Sequence, residues 1–438
     1  MAENEDKQSG DKRQGWRVFN VDYLSNPHDA FAGIVYALIG VFLLYAFFMA
    51  IILATRIASL MFDGHADEIN KLLLALAGII GAPLVVWRVM IAHRGNHIAQ
   101  ENLYTTLLTK AVEQLGATRE EKTTRDVSDG NGGVKSDTKS DTVPNTEVRL
   151  GAIYALEKLA ADYQPLHWPI MEILCAYVRK NAGPARPRGD EVRAALAKNE
   201  DERTKEEKAL LAKRDNELQP PFVDVQAALT VIGRRSEARI QFEREQRDDS
   251  DRPANRDAWR LDLSGCHLAK VRLDGLNFGH ASMDGTCLEG ASLNQAHLEG
   301  ASLYLAHLEG ASLNRAHLEG AWLNEAHLEW AWLIEAHLEG ASLDWAHLEG
   351  ASLDEANLQG ASLGEAHLFD ARIDGANLVG ANGLTDAHLD SCWGNLQTQL
   401  PESLTRPVNE RWDDSDDGFG RWFARRESCR AEARPRKA

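Results

Sequence analysis

The chain has 438 residues, 44% of them hydrophobic, and a formal net charge of −18. That length accommodates two or three domains, and the composition excludes global disorder. The acidity speaks against direct nucleic-acid binding, which needs clustered Lys and Arg, but permits a mimic of nucleic acid. Cys175, Cys266, Cys287, Cys392 and Cys429 form neither a C-x-x-C pair nor an even framework. A disulfide scaffold or thiolate zinc site is therefore not expected, and the thiols read as reduced and cytoplasmic.

Residues 1–29 are a polar leader. Ala30 to Thr55 is a run of 26 residues without a charge, enough to cross a hydrocarbon core of roughly 30 Å. A second run, Leu72 to Trp87, has 16 uncharged residues between Lys71 and Arg88. Residues 30–94 are thus expected to form a transmembrane helical hairpin, a two-helix anchor with the lipid bilayer as partner. Asp63, Asp67 and Glu68 lie in the connector, whereas Lys7, Lys12, Arg13 and Arg17 precede the first run and Arg88 and Arg94 follow the second. This bias places the protein in the cell (inner) membrane, multi-pass, with both termini cytoplasmic.

Residues 95–245 read as a cytoplasmic α-helical domain. Apolar residues from Ile98 to Leu115 keep helical spacing, with Gly116 as the stop. Residues 119–146 lose all apolar periodicity and are expected to be a disordered insertion. Val148, Ile153, Leu156 and Leu159 form one helical face; after Pro165, Ile170, Ile173, Leu174, Tyr177 and Val178 form another. Such a pair must pack on something else to bury its face. A charged segment at 184–217 is too poor in apolar residues for a core and reads as a solvated helix. Val223 to Ile232 supplies a further short helix ending at Gly233.

Three blocks carry a family resemblance: Ala111-Val112-Glu113-Gln114-Leu115-Gly116, Val148-Arg149-Leu150-Gly151-Ala152-Ile153-Tyr154-Ala155-Leu156-Glu157, and Asp224-Val225-Gln226-Ala227-Ala228-Leu229-Thr230. In that order they resemble the membrane-anchored pentapeptide-repeat proteins of bacteria, over about residues 88 to 390. The insertion at 119–146 departs from the compact version, in which the first two blocks sit closer together. The resemblance implies an architecture and transfers no biochemical activity onto named residues.

From Leu261 to Gly380 the chain is 24 contiguous five-residue units. Leu holds the third place except at Phe278, Met283 and Ile373, and Ala usually stands two places earlier. A period of five fits neither strand nor helix and reads as a solenoid. The pattern resembles the pentapeptide repeat, which implies an all-β, right-handed quadrilateral β-helix with four units per coil. Six coils would stack to about 29 Å at a ~4.8 Å strand spacing. The domain is expected to span 257–390, with 391–438 as a C-terminal cap and a disordered tail.

A ten-residue rhythm places one ladder at His267, Cys287, His307, His327, His347 and His367, and the opposite one at Asn277, His297, His317, His337, Asn357 and Asn377. Glutamates two places on stack beside them. Imidazoles on successive coils all point the same way and do not surround an ion, so neither metal nor cofactor is expected. The repeat block carries 18 acidic residues against four basic ones, which is −14 of the −18. Trp322, Trp330, Trp332 and Trp345 occupy outward places in adjacent coils and are the candidate partner-binding residues.

No phosphate loop, zincin motif or nucleophile elbow occurs, so an enzyme is not expected. The leading reading is a membrane-tethered protein-interaction scaffold for an unidentified protein partner, with homo-oligomerisation allowed. One alternative is an acidic DNA mimic that inhibits or protects a DNA-binding enzyme, as soluble pentapeptide-repeat proteins shield DNA gyrase. Another is a subunit of a membrane channel or transporter.

Overall fold

The computed structural model describes residues 40–41, 44–45, 47–59, 66–128, 134–183, 204, 206, 221–247, 260–409, 411–412 and 418–433. The leader 1–29 and almost all of the charged segment 184–217 lie outside the described residues. The chain divides into two units, residues 1–103 and 104–438.

In the first unit, residues 47–59 are helical and helix α1, Ala66–Leu115, begins. Among the described residues no helix is long and apolar enough to cross a membrane. This corrects the expected transmembrane hairpin, the multi-pass placement in the inner membrane, and the channel alternative that depended on both. The reason is visible in α1. Its uncharged run, Leu72 to Trp87, makes about 24 Å of helix at 1.5 Å per residue, short of the roughly 30 Å core. Lys71 and Arg88 bound that run within the same continuous helix. Of the first expected span, residues 30–39, 42–43 and 46 lie outside the described residues.

The second unit opens with the last turns of α1, where Ala111 and Leu115 are buried. Strands β1 (Thr118–Ser128) and β2 (Val134–Pro144) then pair antiparallel, from Thr118 opposite Pro144 to Ser128 opposite Val134. The insertion expected to be disordered is therefore a β-hairpin. Its strands alternate Thr, Ser and charged residues with almost no apolar side chain, so backbone pairing carries it and hydrophobic periodicity could not reveal it. The sequence between the strands, Asp129-Gly130-Asn131-Gly132-Gly133, has the composition that tight hairpin loops favour.

Helices α2 (Thr146–Asp162), α3 (His167–Ala182) and α4 (Val223–Gly233) pack on one another around Ile153, Leu156, Ile170, Leu174, Val178, Leu229 and Ile232. Asn145 caps α2 by accepting from the Val148 amide at 3.4 Å. One polar node is buried among the three helices. Arg149 on α2 donates to Asp224 on α4 at 3.3 Å and to Asn181 on α3 at 3.2 Å, and the Tyr177 hydroxyl donates to Asp224 at 2.6 Å. Burial and the adjacent carboxylate push the Tyr177 phenol above its ordinary range. In a second node, His167 lies 2.6 Å and Arg235 3.0 Å from Glu243 on helix α5, Glu237–Arg247.

This helical layer closes the first coil of the repeat. The amides of His267 and Asn277 donate to the carbonyls of Gly183 and Gly233 at 3.0 and 2.7 Å, and the Gln226 amide exchanges two bonds with the backbone of Arg272. Gly233 sits so close that an added Cβ would stand 2.6 Å from Leu276 Cβ. Helices and repeat share one continuous apolar core. Open strand edges are covered in this way, as solenoid ends require.

Each coil of the repeat takes 20 residues, and every outward rung bridges in parallel to the rung 20 residues on. The Leu amide of one coil donates to the next coil, as in Leu303 to Trp322 O at 2.7 Å, and the Ala after each corner donates back to the Leu carbonyl. Leu and Ala of the units are almost all buried. Beyond Ala381 a short helix, α6 (Asp386–Ser391), interrupts the coil, after which Trp393 and Gln399 bridge to Arg372 and Asn377.

The tail expected to be disordered contains helix α7, Gly418–Ala433, with Trp422 and Arg426 buried. Trp422 and Arg426 are four apart and share a helix face. That pair, in a segment otherwise rich in Arg and Glu, was the one available signal. Residues 434–438 lie outside the described residues.

Candidate functional site

The repeat has four walls, one per unit of each coil. Ladders run Ser302, Trp322, Ser342, Ser362; then His307, His327, His347, His367; then Ser312, Trp332, Ser352, Arg372; then His297, His317, His337, Asn357. The four tryptophans therefore do not form a single cluster. Trp322 and Trp345 belong to the first wall, while Trp330 and Trp332 straddle the corner between the second and third.

The corner pair is occupied. Trp422 meets Trp332 edge-on at 6.3 Å between ring centres, and the Arg426 guanidinium lies 3.6 Å from the Trp332 ring centre. Arg426 also donates to the Trp330 carbonyl, and Trp422 Nε1 to Asp370 O at 3.0 Å. Trp330 itself lies against Gly350 one coil on, where an added Cβ would stand 2.4 Å from the indole. Ser352, the rung between Trp332 and Arg372, is fully buried. Beside it, Asp354 accepts from Ser352 at 2.6 Å and from Arg372 at 2.7 Å, yet burial outweighs Arg372 and pushes its carboxyl up to about 6.

The first wall is more open. Trp322, with the Arg260 guanidinium 5.8 Å from its ring centre, is 54% exposed and Trp345 56%; one coil before Trp322 the same wall carries Tyr304 and Leu305, at 40% and 39%. The latter two were missed because neither is a tryptophan, although the 20-residue period aligns them. Trp345 shares the backbone geometry of its place in the repeat. The fifth residue of each unit adopts a positive φ; Gly fills half of these places and twelve other residues the rest, Trp330 and Trp345 among them, both at +62°. A bulky side chain in that region costs on the order of 1–2 kcal/mol.

On the second and fourth walls imidazoles stack at 4.6 to 4.9 Å between ring centres. Nδ1 of His297, His307, His317, His327, His337 and His347 faces the Glu two residues on, from 2.8 Å at His297–Glu299 to 3.7 Å at His337–Glu339, whereas His367 faces Glu349 of the preceding coil at 3.7 Å. The second carboxylate oxygens of Glu319, Glu329, Glu339 and Glu349 are buried without a hydrogen-bond partner.

The family of pentapeptide repeats matches in eight copies between residues 262 and 382. Residues 262–382 are a pentapeptide-repeat domain. The pentapeptide-repeat domain is similar to solved structures. HetL, a pentapeptide repeat protein involved in heterocyst differentiation regulation in the cyanobacterium Nostoc sp. strain PCC 7120, is 32% identical over 32% of this chain and 66% of its own, with a TM-score of 0.20. The chain thus spans just under two thirds of HetL. Rfr23 from the cyanobacterium Cyanothece 51142 is 28% identical over 28% of this chain and 64% of its own, with a TM-score of 0.14. QnrB1, a plasmid-mediated fluoroquinolone resistance protein, is 14% identical over 38% of this chain and 83% of its own, with a TM-score of 0.23. No curated protein matches the chain.

Proposed function

We propose that the chain is a non-enzymatic protein-interaction scaffold whose pentapeptide-repeat domain engages a protein partner through the wall bearing Trp322 and Trp345. The observation that carries this reading is that Trp322 and Trp345 are both more than half exposed. Large indoles left open on the surface of a folded domain fit a binding contact better than a packing role. Tyr304 and Leu305 add exposed apolar surface to the same wall.

The test uses residues the repeat itself supplies at these places. Ser stands at 302 and 342, in register with Trp322, and Glu at 325 and 365, in register with Trp345. A Trp322→Ser, Trp345→Glu chain should fold and lose at least tenfold in affinity for partners captured by the unaltered chain. Unchanged retention of every partner would refute the assignment of this wall.

The −14 charge of the repeat block favours a second reading as a DNA mimic for a DNA-binding enzyme. That reading predicts competition with duplex DNA that weakens as salt rises. It does not need the tryptophans, so the double variant separates the two.

A further inference from the structure

Glu349 sits between two imidazoles without a good hydrogen bond to either. Its Oε1 is 3.5 Å from His347 Nδ1 and 3.7 Å from His367 Nδ1, both beyond the 2.7–3.2 Å of an N–H···O bond. Its Oε2 is buried and has no hydrogen-bond partner. The two rings stack at 4.7 Å with 17° between their planes, and one ligating atom from each of the three residues lies within 4.8 Å of the others. We propose that His347, Glu349 and His367 bind a divalent transition-metal ion of the zinc class, clamping two successive coils.

Two imidazole nitrogens and a carboxylate oxygen form a donor set that such ions take, with a fourth position left to water. At bond lengths of about 2.0–2.2 Å, two ligands of a tetrahedral ion stand about 3.4 Å apart. Both carboxylate-to-imidazole distances need only a few tenths of an ångström of closure. The larger adjustment falls on the two imidazoles, and His367, 52% exposed at the end of its ladder, has room to turn. Parallel imidazoles alone would not surround an ion; the carboxylate between them supplies the third direction.

The other groups on these walls are less suited. His297, Glu299 and His317 are closed by a 2.8 Å hydrogen bond, and Glu319, His337 and Glu339 offer one imidazole. His327, Glu329 and His347 share His347, and the His327 side chain is only 6% exposed.

The experiment titrates the untagged, metal-stripped full chain with Co²⁺ at pH 7.5, reading visible absorption, and then displaces Co²⁺ with Zn²⁺. Saturable binding is expected, and Zn²⁺ should raise the melting temperature. His347→Asn with His367→Asn should fold, because Asn357 and Asn377 occupy the matching rungs opposite. It should bind one ion fewer and lose the zinc-induced rise in melting temperature. Glu349→Gln, which keeps both imidazoles, should weaken that ion at least tenfold. No saturable cobalt spectrum in the unaltered chain, or unchanged stoichiometry and affinity in either variant, would overturn the proposal.

Discussion

The guanidinium carbon of Arg426 lies 3.6 Å from the centre of the Trp332 ring, and Trp422 closes the same contact from the side. Helix α7 is thereby fastened to the third wall, and the Arg426–Trp332 cation–π contact contributes about 2 kcal/mol when desolvated. Arg426→Ala should raise the opening of α7 on the order of tenfold, seen as faster hydrogen exchange in residues 418–433. The repeat itself should keep its melting temperature within about 2 °C, since its core lies elsewhere.

The junction between helices and repeat depends on Gly233. Gly233→Ala would place a methyl 2.6 Å from Leu276 Cβ and 3.0 Å from the Phe278 ring. A cost of about 1–3 kcal/mol is expected from such overpacking. The denaturant midpoint of the helical layer should fall, and the Asn277 amide, which donates to Gly233 O, should lose protection from exchange.

Asp224 has two side-chain partners, Arg149 and Tyr177, from two different helices. Asp224→Ala leaves the Arg149 charge buried without it, for a loss of about 3–5 kcal/mol in urea unfolding. Tyr177→Phe removes one hydrogen bond and should cost only about 1 kcal/mol.

Asp354 sets a pH dependence. Its carboxyl is pushed from 3.8 to about 6 by burial. The folded chain therefore holds a proton that the unfolded chain releases between these values, and stability falls as pH rises from about 4 to about 6. The full effect is at most about 3 kcal/mol. Asp354→Asn should raise the urea midpoint at pH 7.5 and leave it unchanged near pH 4. An equal change at both pH values would rule out this origin.

Cys175, Cys266 and Cys392 are buried, and burial pushes each thiol up to about 12. At pH 8 in native buffer these three should resist a maleimide that labels them within minutes in guanidinium chloride.

The repeat was legible from its residues because its core is a direct image of its period: a Leu every five positions can be buried together only if the chain turns a corner every five. The ladders of His, Ser and Asn followed from the same arithmetic, as did the outward placement of the four tryptophans. The β1–β2 hairpin was not legible, since its stability rests on backbone pairing that leaves no apolar trace in Thr118–Ser128 and Val134–Pro144. Leu72 to Trp87 reads as a second membrane span beside the longer run before it; among the described residues no helix is long and apolar enough to cross a membrane.

By itself, the sequence determined the solenoid, its acidity and which side chains face outward, because those properties are periodic and local. Only the tertiary structure decided which outward tryptophans are available. Helix α7 reaches Trp332 from about 90 residues away in sequence and buries Arg426 against it, while nothing among the described residues covers Trp322 and Trp345 to the same degree. Contacts between segments so distant carry no spacing rule, so availability for a partner is a property of the folded chain.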